Sequence, residues 1–153
     1  MIVNFSVTHI ESKTYMSQEE FRKYRNININ YDINLRNPSV STMQTPFGKS
    51  ATIKVEYALS INYLNPSIGQ IRFEGNVNYY TKEDMDDIKK QWDSGSAPIA
   101  VQNEIANTTI LNLAPLAISI SKSMGLPPAI PIPTINFEKH KQKQTEAPSN
   151  YYV

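Results

Sequence analysis

The chain has 153 residues, a formal net charge of +1 and an apolar fraction of 40%, which suits one domain with its own core. Because the net charge is close to zero, no field would attract nucleic acid or an anionic membrane, and neither is expected as a partner. The chain contains no cysteine, which excludes disulfides, thiolate nucleophiles and cysteine-based zinc sites.

Alternating apolar and polar residues predict four strands in the first half of the chain, because period two is typical of half-buried strands. The alternation covers residues 3–7, 27–35, 51–63 and 71–79. It places apolar side chains on one face of the sheet and polar, Asn-rich side chains on a face exposed to water. A helical layer is needed to cover the apolar face.

The segments between these strands carry turn and crossover signals. Residues 12–25 break the alternation and predict a crossover with one helical turn, begun by a capping box of Ser17 and Glu20. Prolines and glycine within residues 37–50 predict a loop. The short link between the third and fourth strands predicts that they form an antiparallel hairpin.

Two helices are predicted in the second half of the chain. Thr81 is the predicted cap of a short helix whose first turn is acidic. A long amphipathic helix follows and ends before Gly125, with Pro115 inside it as a source of a kink. Its apolar or small stripe, predicted to form core and subunit interface, is Ile99, Ala106, Ile110, Leu113, Ala117, Ile120 and Met124. The fold class predicted is α+β: a four-stranded antiparallel sheet with one face covered by this helix.

The sequence LPPAIPIPTINF, residues 126–137, is named here the strap. Its four prolines exclude a helix, so it is predicted to be extended and apolar. Residues 139–153 are polar and are expected to form a flexible tail after a domain of residues 1–138.

Two stretches carry a resemblance to the SecB family of protein-export chaperones. FSVTHIESKTYMSQEEF is similar to the family's first strand and aromatic crossover, and ANTTILNLAPLAISISKSMGLPPAIPIPTINFEK resembles its long helix and strap. The strap ends in a Pro-x-Ile-Asn-Phe motif at residues 133–137. The resemblance implies a homotetramer, built as a dimer of dimers, that binds unfolded polypeptides in grooves bounded by the crossover and the strap.

Two departures from the bacterial pattern bear on the partner. Family members of bacterial type end in a Cys- and His-containing zinc tail that docks on the SecA motor, and this chain has no cysteine. Their acidic patch on the outer sheet face corresponds here to Glu56 and Glu74 mixed with Lys54 and Arg72. SecA is therefore a doubtful partner, and the resemblance points to an archaeal or toxin–antitoxin-associated type.

The function expected is that of a holdase, a chaperone that binds non-native polypeptides on apolar surface, with protein export as one setting. Proline-rich segments suit this role because they are pre-ordered and do not pair with sheet edges. The resemblance implies nine peptide-binding residues: Tyr15, Met16, Phe21, Tyr24, Leu126, Ile130, Ile132, Ile135 and Phe137. Some of these side chains could instead complete the core, and for Ile135 and Phe137 internal anchoring is the favoured interpretation.

Two other functions remain open from the sequence: a carrier of a small apolar ligand or lipid, and a scaffold for one partner such as an antitoxin. No catalytic motif is visible, so no enzymatic activity is expected. No cofactor is expected, and His9 and His140 show no metal-site pattern. The expected location is the cytoplasm, because the sequence has neither a signal peptide nor an apolar stretch of the ~18 to 20 residues that span a membrane.

Overall fold

The computed structural model describes residues 1–23, 27–64, 67–128 and 135–137, so the predicted tail at 139–153 lies outside the described residues. The chain forms four strands and three helices in these ranges. In chain order they are β1 (Ile2–Thr14), α1 (Gln18–Phe21), β2 (Asn28–Thr45), β3 (Gly48–Leu64), β4 (Gly69–Tyr79), α2 (Met85–Asp93) and α3 (Ile99–Ser123).

The four strands form one sheet in the order β1-β4-β3-β2, with every neighbouring pair antiparallel. The predicted hairpin of β3 and β4 is confirmed, and its register runs from Ile53 opposite Tyr79 to Tyr63 opposite Gly69. Because β1 and β2 are the two edge strands, the chain between them crosses from one edge of the sheet to the other. This crossover begins with α1, where the Ser17 hydroxyl accepts a hydrogen bond from the Glu20 amide at 3.3 Å.

One face of the sheet is the apolar face, as the alternation predicts. Its buried strand residues are Ile29, Tyr31, Ile53, Val55, Tyr57, Leu59, Ile61, Tyr63, Ile71, Phe73, Val77 and Tyr79. Both α2 and α3 contribute to the same core, α2 through Met85 and Ile88. From α3 the buried apolar residues are Val101, Ile105, Ala106, Ile110, Leu113 and Ala117. The predicted α+β class is therefore confirmed.

The end of α3 fixes the start of the strap. Gly125 has a φ of 71°, the left-handed value that glycine adopts easily, and ends the helix as predicted. The Leu126 amide donates to the Ser121 carbonyl at 2.8 Å and the Gly125 amide to the Lys122 carbonyl at 3.2 Å. These two bonds form a Schellman motif, which turns the chain sharply away from the helix axis. Pro115 lies inside α3, as the sequence predicts.

The predicted loop over residues 37–50 is wrong, because β2 and β3 continue through most of it. The two prolines are accommodated in different ways. Pro38 follows Asn37, whose φ is 54°, at a register shift in β2, and a proline is tolerated at such a bulge in an edge strand. Pro46 lies in the tight turn between Thr45 and Gly48.

Three local predictions are also corrected. Asp84, rather than Thr81, is the N-cap of α2, and its carboxylate accepts from the Asp86 amide at 2.9 Å. In β1 a register shift falls between Ile2 and Asn4, so Ile2 joins Phe5 and Val7 against the core while Val3 lies at the irregularity. The outer face is not fully open to water, since Thr52 and Asn78 are buried there and hydrogen bonded at 3.2 Å.

Candidate functional site

The side chains of five predicted binding residues are described, and they differ in exposure. Tyr15 is 53% exposed, whereas Met16 and Phe137 are half-buried and pack against the core. Leu126 and Ile135 are buried at 4% and 6% exposure. Outside the described residues lie the side chain of Phe21 and the whole of Tyr24, Ile130 and Ile132. The binding role of these residues stays a prediction; among the described side chains, Tyr15 of the crossover is exposed, whereas Leu126 and Ile135 of the strap are buried.

The crossover and the strap both contact the start of β4. The Tyr15 amide donates to the Ile68 carbonyl at 2.8 Å, which holds the end of β1 there. Leu126 packs against Gly69, where an added Cβ would lie 2.9 Å from a Leu126 methyl carbon. Glycine therefore permits this close approach of the strap, whereas the exposed Tyr15 ring lies on the outer-face side of β4, with its hydroxyl 3.5 Å from the Gln70 side chain.

Further along the strap, two asparagines of α3 hold residues 135–137, the last of which, Phe137, is helical rather than extended as predicted. Asn107 makes a pair of bonds with Ile135: its carbonyl oxygen accepts from the Ile135 amide at 2.7 Å, and its NH₂ donates to the Ile135 carbonyl at 2.9 Å. The Phe137 amide donates to the Asn103 carbonyl oxygen at 2.9 Å. All three bonds involve the strap's main chain, so they place its backbone without selecting its side chains.

A cavity opens beside this held segment. It has a volume of about 170 Å³ and is lined by Tyr31, Asp32 and Ile33 of β2 and by Ile135 and Phe137 of the strap. Four of its five lining residues are apolar or aromatic. The cavity is large enough for a benzene-sized group, since an apolar cavity of ~150 Å³ in another protein holds benzene.

The layer between α3 and the sheet is filled more tightly. A gap of about 10 Å³ remains there, enough for about one water molecule. Its lining residues are Tyr31, Leu59, Ile61, Ile110, Leu113, Ala114 and Ala117. This gap offers no room for a lipid or another small apolar ligand between helix and sheet.

Exposed apolar side chains also occur at places that the sequence did not single out. On the outer side of α3, Leu111 is 64% exposed and Leu116 is 40% exposed. At the β2–β3 turn, Phe47 is 67% exposed and stacks on Tyr80 with ring centroids 5.5 Å apart. The apolar surface available for contacts is thus not confined to the crossover and strap.

The outer sheet face carries charges of both signs. Arg72 donates to Glu74 at 2.8 Å, and the Arg36 guanidinium lies 3.6 Å from Glu56 and 3.8 Å from Glu74. The hydrogen bond from Arg72 is the main cause that holds the pKa of the Glu74 carboxyl below its ordinary value. Because each of these carboxylates lies beside a guanidinium, this part of the face is a mixed-charge ladder rather than an acidic patch.

The comparison with solved structures bears on the fold. The chain matches the SecB-like chaperone Rv1957 of Mycobacterium tuberculosis, solved in complex with a ChAD peptide from the HigA1 antitoxin Rv1956, with a TM-score of 0.50. The chain has a SecB-like fold. The match covers 87% of this chain and 86% of that chain at 11% identity, so it concerns the fold alone. No family model and no curated protein sequence matches the chain.

Two further searches concern only the described ranges. No helix within them combines the length and the apolar character needed to cross a membrane. Among the same residues, no group of three or more His, Asp or Glu side chains is arranged to hold a metal ion.

The sequence reasoning missed Asn103 and Asn107. Asparagine is unfavourable inside a helix, because its amide competes for main-chain hydrogen bonds. Two asparagines four residues apart lie on one helix face. That pattern indicates that the two side chains make hydrogen bonds, although it does not reveal which segment they contact.

Proposed function

We propose that this chain is a non-enzymatic chaperone of the holdase type, which binds non-native polypeptides in extended form. The observation that carries the proposal is the strap segment at residues 135–137, held through its main chain beside an open cavity. This surface already holds the main chain of a segment with apolar side chains, and an unfolded client presents segments of that kind. The SecB-like fold supports the same role.

The binding surface in this proposal has two parts. The exposed ring of Tyr15 supplies the crossover part, and the cavity beside Ile135 and Phe137 supplies the strap part. Aromatic side chains suit varied clients, because they offer large contact areas at low entropic cost. At ~25 cal/mol per Å² of apolar area, a few hundred Å² give only several kcal/mol before entropic costs, so a single site binds weakly.

We propose that a homotetramer, a dimer of dimers, compensates for this weakness. Several sites that engage one long unfolded chain raise the overall avidity by orders of magnitude without any new contact. The exposed leucines of α3 are available for contacts between subunits. A cytoplasmic setting and an export role complete the proposal, with SecA as a doubtful partner because the outer face is not acidic where Arg36 and Arg72 lie.

A second candidate is a scaffold that binds one partner, such as an antitoxin. It is favoured by the structural neighbour, which was solved with an antitoxin peptide. The two functions differ in specificity, because a scaffold recognises one sequence whereas a holdase accepts many unfolded chains. A third possibility, the small-ligand carrier, finds no room in the gap of about 10 Å³ between α3 and the sheet.

The test measures native mass and suppression of aggregation in one preparation of the full chain. A chemically denatured protein of unrelated sequence is diluted into buffer with and without the chain, and light scattering is followed. The holdase proposal expects an oligomer that suppresses scattering near equimolar ratio. A monomer that leaves the scattering unchanged would remove the proposal, and tight binding of one antitoxin peptide without general suppression would establish the scaffold instead.

A further inference from the structure

The contacts between α3 and the strap pair asparagine side chains with main-chain groups of the strap. Asn103 and Asn107 are one helical turn apart, so their carboxamides are separated by ~6 Å along the helix axis. The amides of Ile135 and Phe137 are two residues apart, where the strap passes into a helical turn at Phe137. Each strap amide meets one asparagine oxygen, at 2.7 Å and 2.9 Å.

The bonds from Asn103 and Asn107 contact only the main chain of the strap, so they do not restrict the identity of its side chains. The Asn107 carboxamide both accepts from and donates to Ile135, which is the pairing that a neighbouring strand would offer. What selects a segment is then the space around its side chains. Ile135 is buried, and the cavity of about 170 Å³ adjoins both it and Phe137.

We propose that Asn103 and Asn107 form a backbone clamp for client segments of the pattern aliphatic–x–aromatic, and that strap residues 135–137 occupy this clamp when no client is bound. The inference rests on the proposed function and adds the recognition mode to it. The strap acts as an internal substitute for the client, and a client binds by taking its place.

The replacement of the strap by a client changes the free energy little, because the two segments make similar contacts. A client segment makes the same main-chain bonds as the strap segment that it displaces. The strap has the advantage of belonging to the same chain, whereas a client with a larger side chain gains the contacts of the unfilled cavity. A long client that engages other sites at once gains further through avidity.

The first experiment uses the unmodified protein. Amide hydrogen exchange of Ile135 and Phe137 is followed by NMR on ¹⁵N-labelled full chain, with and without the capped pentapeptide Pro-Thr-Ile-Asn-Phe. The matched control is the same peptide N-methylated at its Ile and Phe nitrogens, which lacks both donors. We expect the unmodified peptide to accelerate exchange of these two amides and the methylated peptide to have no effect. Unchanged exchange at saturation, or equal effects of the two peptides, overturns the clamp.

The second experiment compares variants by their affinity for the fluorescently labelled pentapeptide. Asn107→Leu removes two of the three clamp bonds without lowering helix propensity, and Asn112→Leu is its control at an exposed asparagine of the same helix. Ile135→Ala weakens the strap's hold and leaves the clamp intact. If the strap occupies the clamp for nine-tenths of the time, freeing it lowers the apparent Kd about tenfold.

The expected changes therefore have opposite signs: weaker binding for Asn107→Leu, tighter binding for Ile135→Ala, and unchanged binding for Asn112→Leu. Asparagines with a merely structural role would give weaker or unchanged binding for both clamp and strap variants, which overturns the inference. If Asn107→Leu does not fold, the exchange experiment on the unmodified protein decides. If the wild type suppresses aggregation but the peptide does not accelerate exchange of the Ile135 and Phe137 amides, the clamp is wrong and the holdase proposal stands. If the peptide accelerates exchange but the wild type does not suppress aggregation, the holdase proposal is wrong and the clamp stands.

Discussion

The hydroxyl of Tyr57 links strands that are not neighbours. Tyr57 belongs to β3, its ring crosses β4 at Gly75, and its hydroxyl donates to the Ser6 carbonyl of β1 at 2.9 Å. A Cβ at Gly75 would lie 2.5 Å from that hydroxyl oxygen and 2.0 Å from the Ser6 oxygen, so only glycine leaves the path open. Phe5 stacks on the same ring at 5.2 Å. One glycine thus allows a tyrosine to join the edge strand β1 to the centre of the sheet.

Tyr57→Phe tests this link, because it keeps the stacked ring and removes only the hydroxyl. At neutral pH we expect the free energy of unfolding to fall by about 1 kcal/mol, the usual net value of one such bond. Burial raises the pKa of the Tyr57 phenol from 10.0 to about 12. A raised phenol pKa means that the folded state favours the protonated form. Its stabilising effect is complete below the unfolded value and is lost as pH rises through the folded value.

Wild type should therefore lose stability more steeply than Tyr57→Phe between pH 10.0 and about 12. Urea unfolding followed by circular dichroism across this range measures both effects. Tyr15→Phe, which removes a hydroxyl from an exposed ring, is the control and should change the free energy of unfolding at neutral pH by less than ~0.5 kcal/mol. Parallel alkaline slopes for wild type and Tyr57→Phe would contradict the role given to the buried phenol.

At the scale of elements, the sequence predicted regular segments well and interruptions poorly. The period-two runs of β3 and β4 and the position of α3 with Pro115 inside it follow directly from local patterns, because one buried face imposes one period. At Asn37 and Pro38 the strand continues through a bulge that changes the period, so the sequence looked like a loop. Composition near a proline cannot distinguish a bulged edge strand from a loop, since both tolerate the missing N–H.

The candidate site was predictable only in part, for a different reason. The strap was recognised from its prolines and apolar residues, which are a local signal. Its attachment depends on Asn107 meeting Ile135 and on Asn103 meeting Phe137, contacts that span 28 and 34 residues of sequence. No local pattern encodes such a pairing. The cavity beside Ile135 is likewise a product of how β2 and the strap approach each other.

The start of α2 offers a direct test of the sequence prediction against the structure. Asp84 accepts from the Asp86 amide at 2.9 Å, whereas the Thr81 hydroxyl lies 3.5 Å from the Glu83 amide. We expect Asp84→Ala to lower the free energy of unfolding by about 1 kcal/mol, the typical value for a lost N-cap. Thr81→Ala should cost clearly less. Chemical denaturation of both variants measures the difference, and a larger loss for Thr81→Ala would mean that Thr81 is the cap, as the sequence predicts.

At the scale of the whole molecule, the outer side of α3 is an exposed surface with apolar side chains that no other part of the described chain covers. Residues 105–121 contain no charged side chain. Leu111 and Leu116 are exposed on a helix whose other face is already buried against the sheet. A helix that is uncharged and partly apolar on both sides is typical of a helix that packs against protein on both sides. In the proposed tetramer this cover is α3 of another subunit, and a symmetric contact would bring the same surface of both subunits together.

Replacing Leu111 and Leu116 by glutamate tests that arrangement. Both side chains are exposed in the single chain, so the substitutions should leave the fold of one subunit intact. In an assembly they would bury like charges against each other, which costs several kcal/mol and dissociates the subunits. Light scattering coupled to size exclusion should give a lower mass for the double variant, and its melting temperature should no longer rise with protein concentration, because subunit association stabilises the folded state by mass action. Gln91→Glu, which adds a charge at an exposed position of α2, is the control and should keep the mass of wild type. A double variant with unchanged mass would mean that α3 does not join the subunits, and avidity would then need another source.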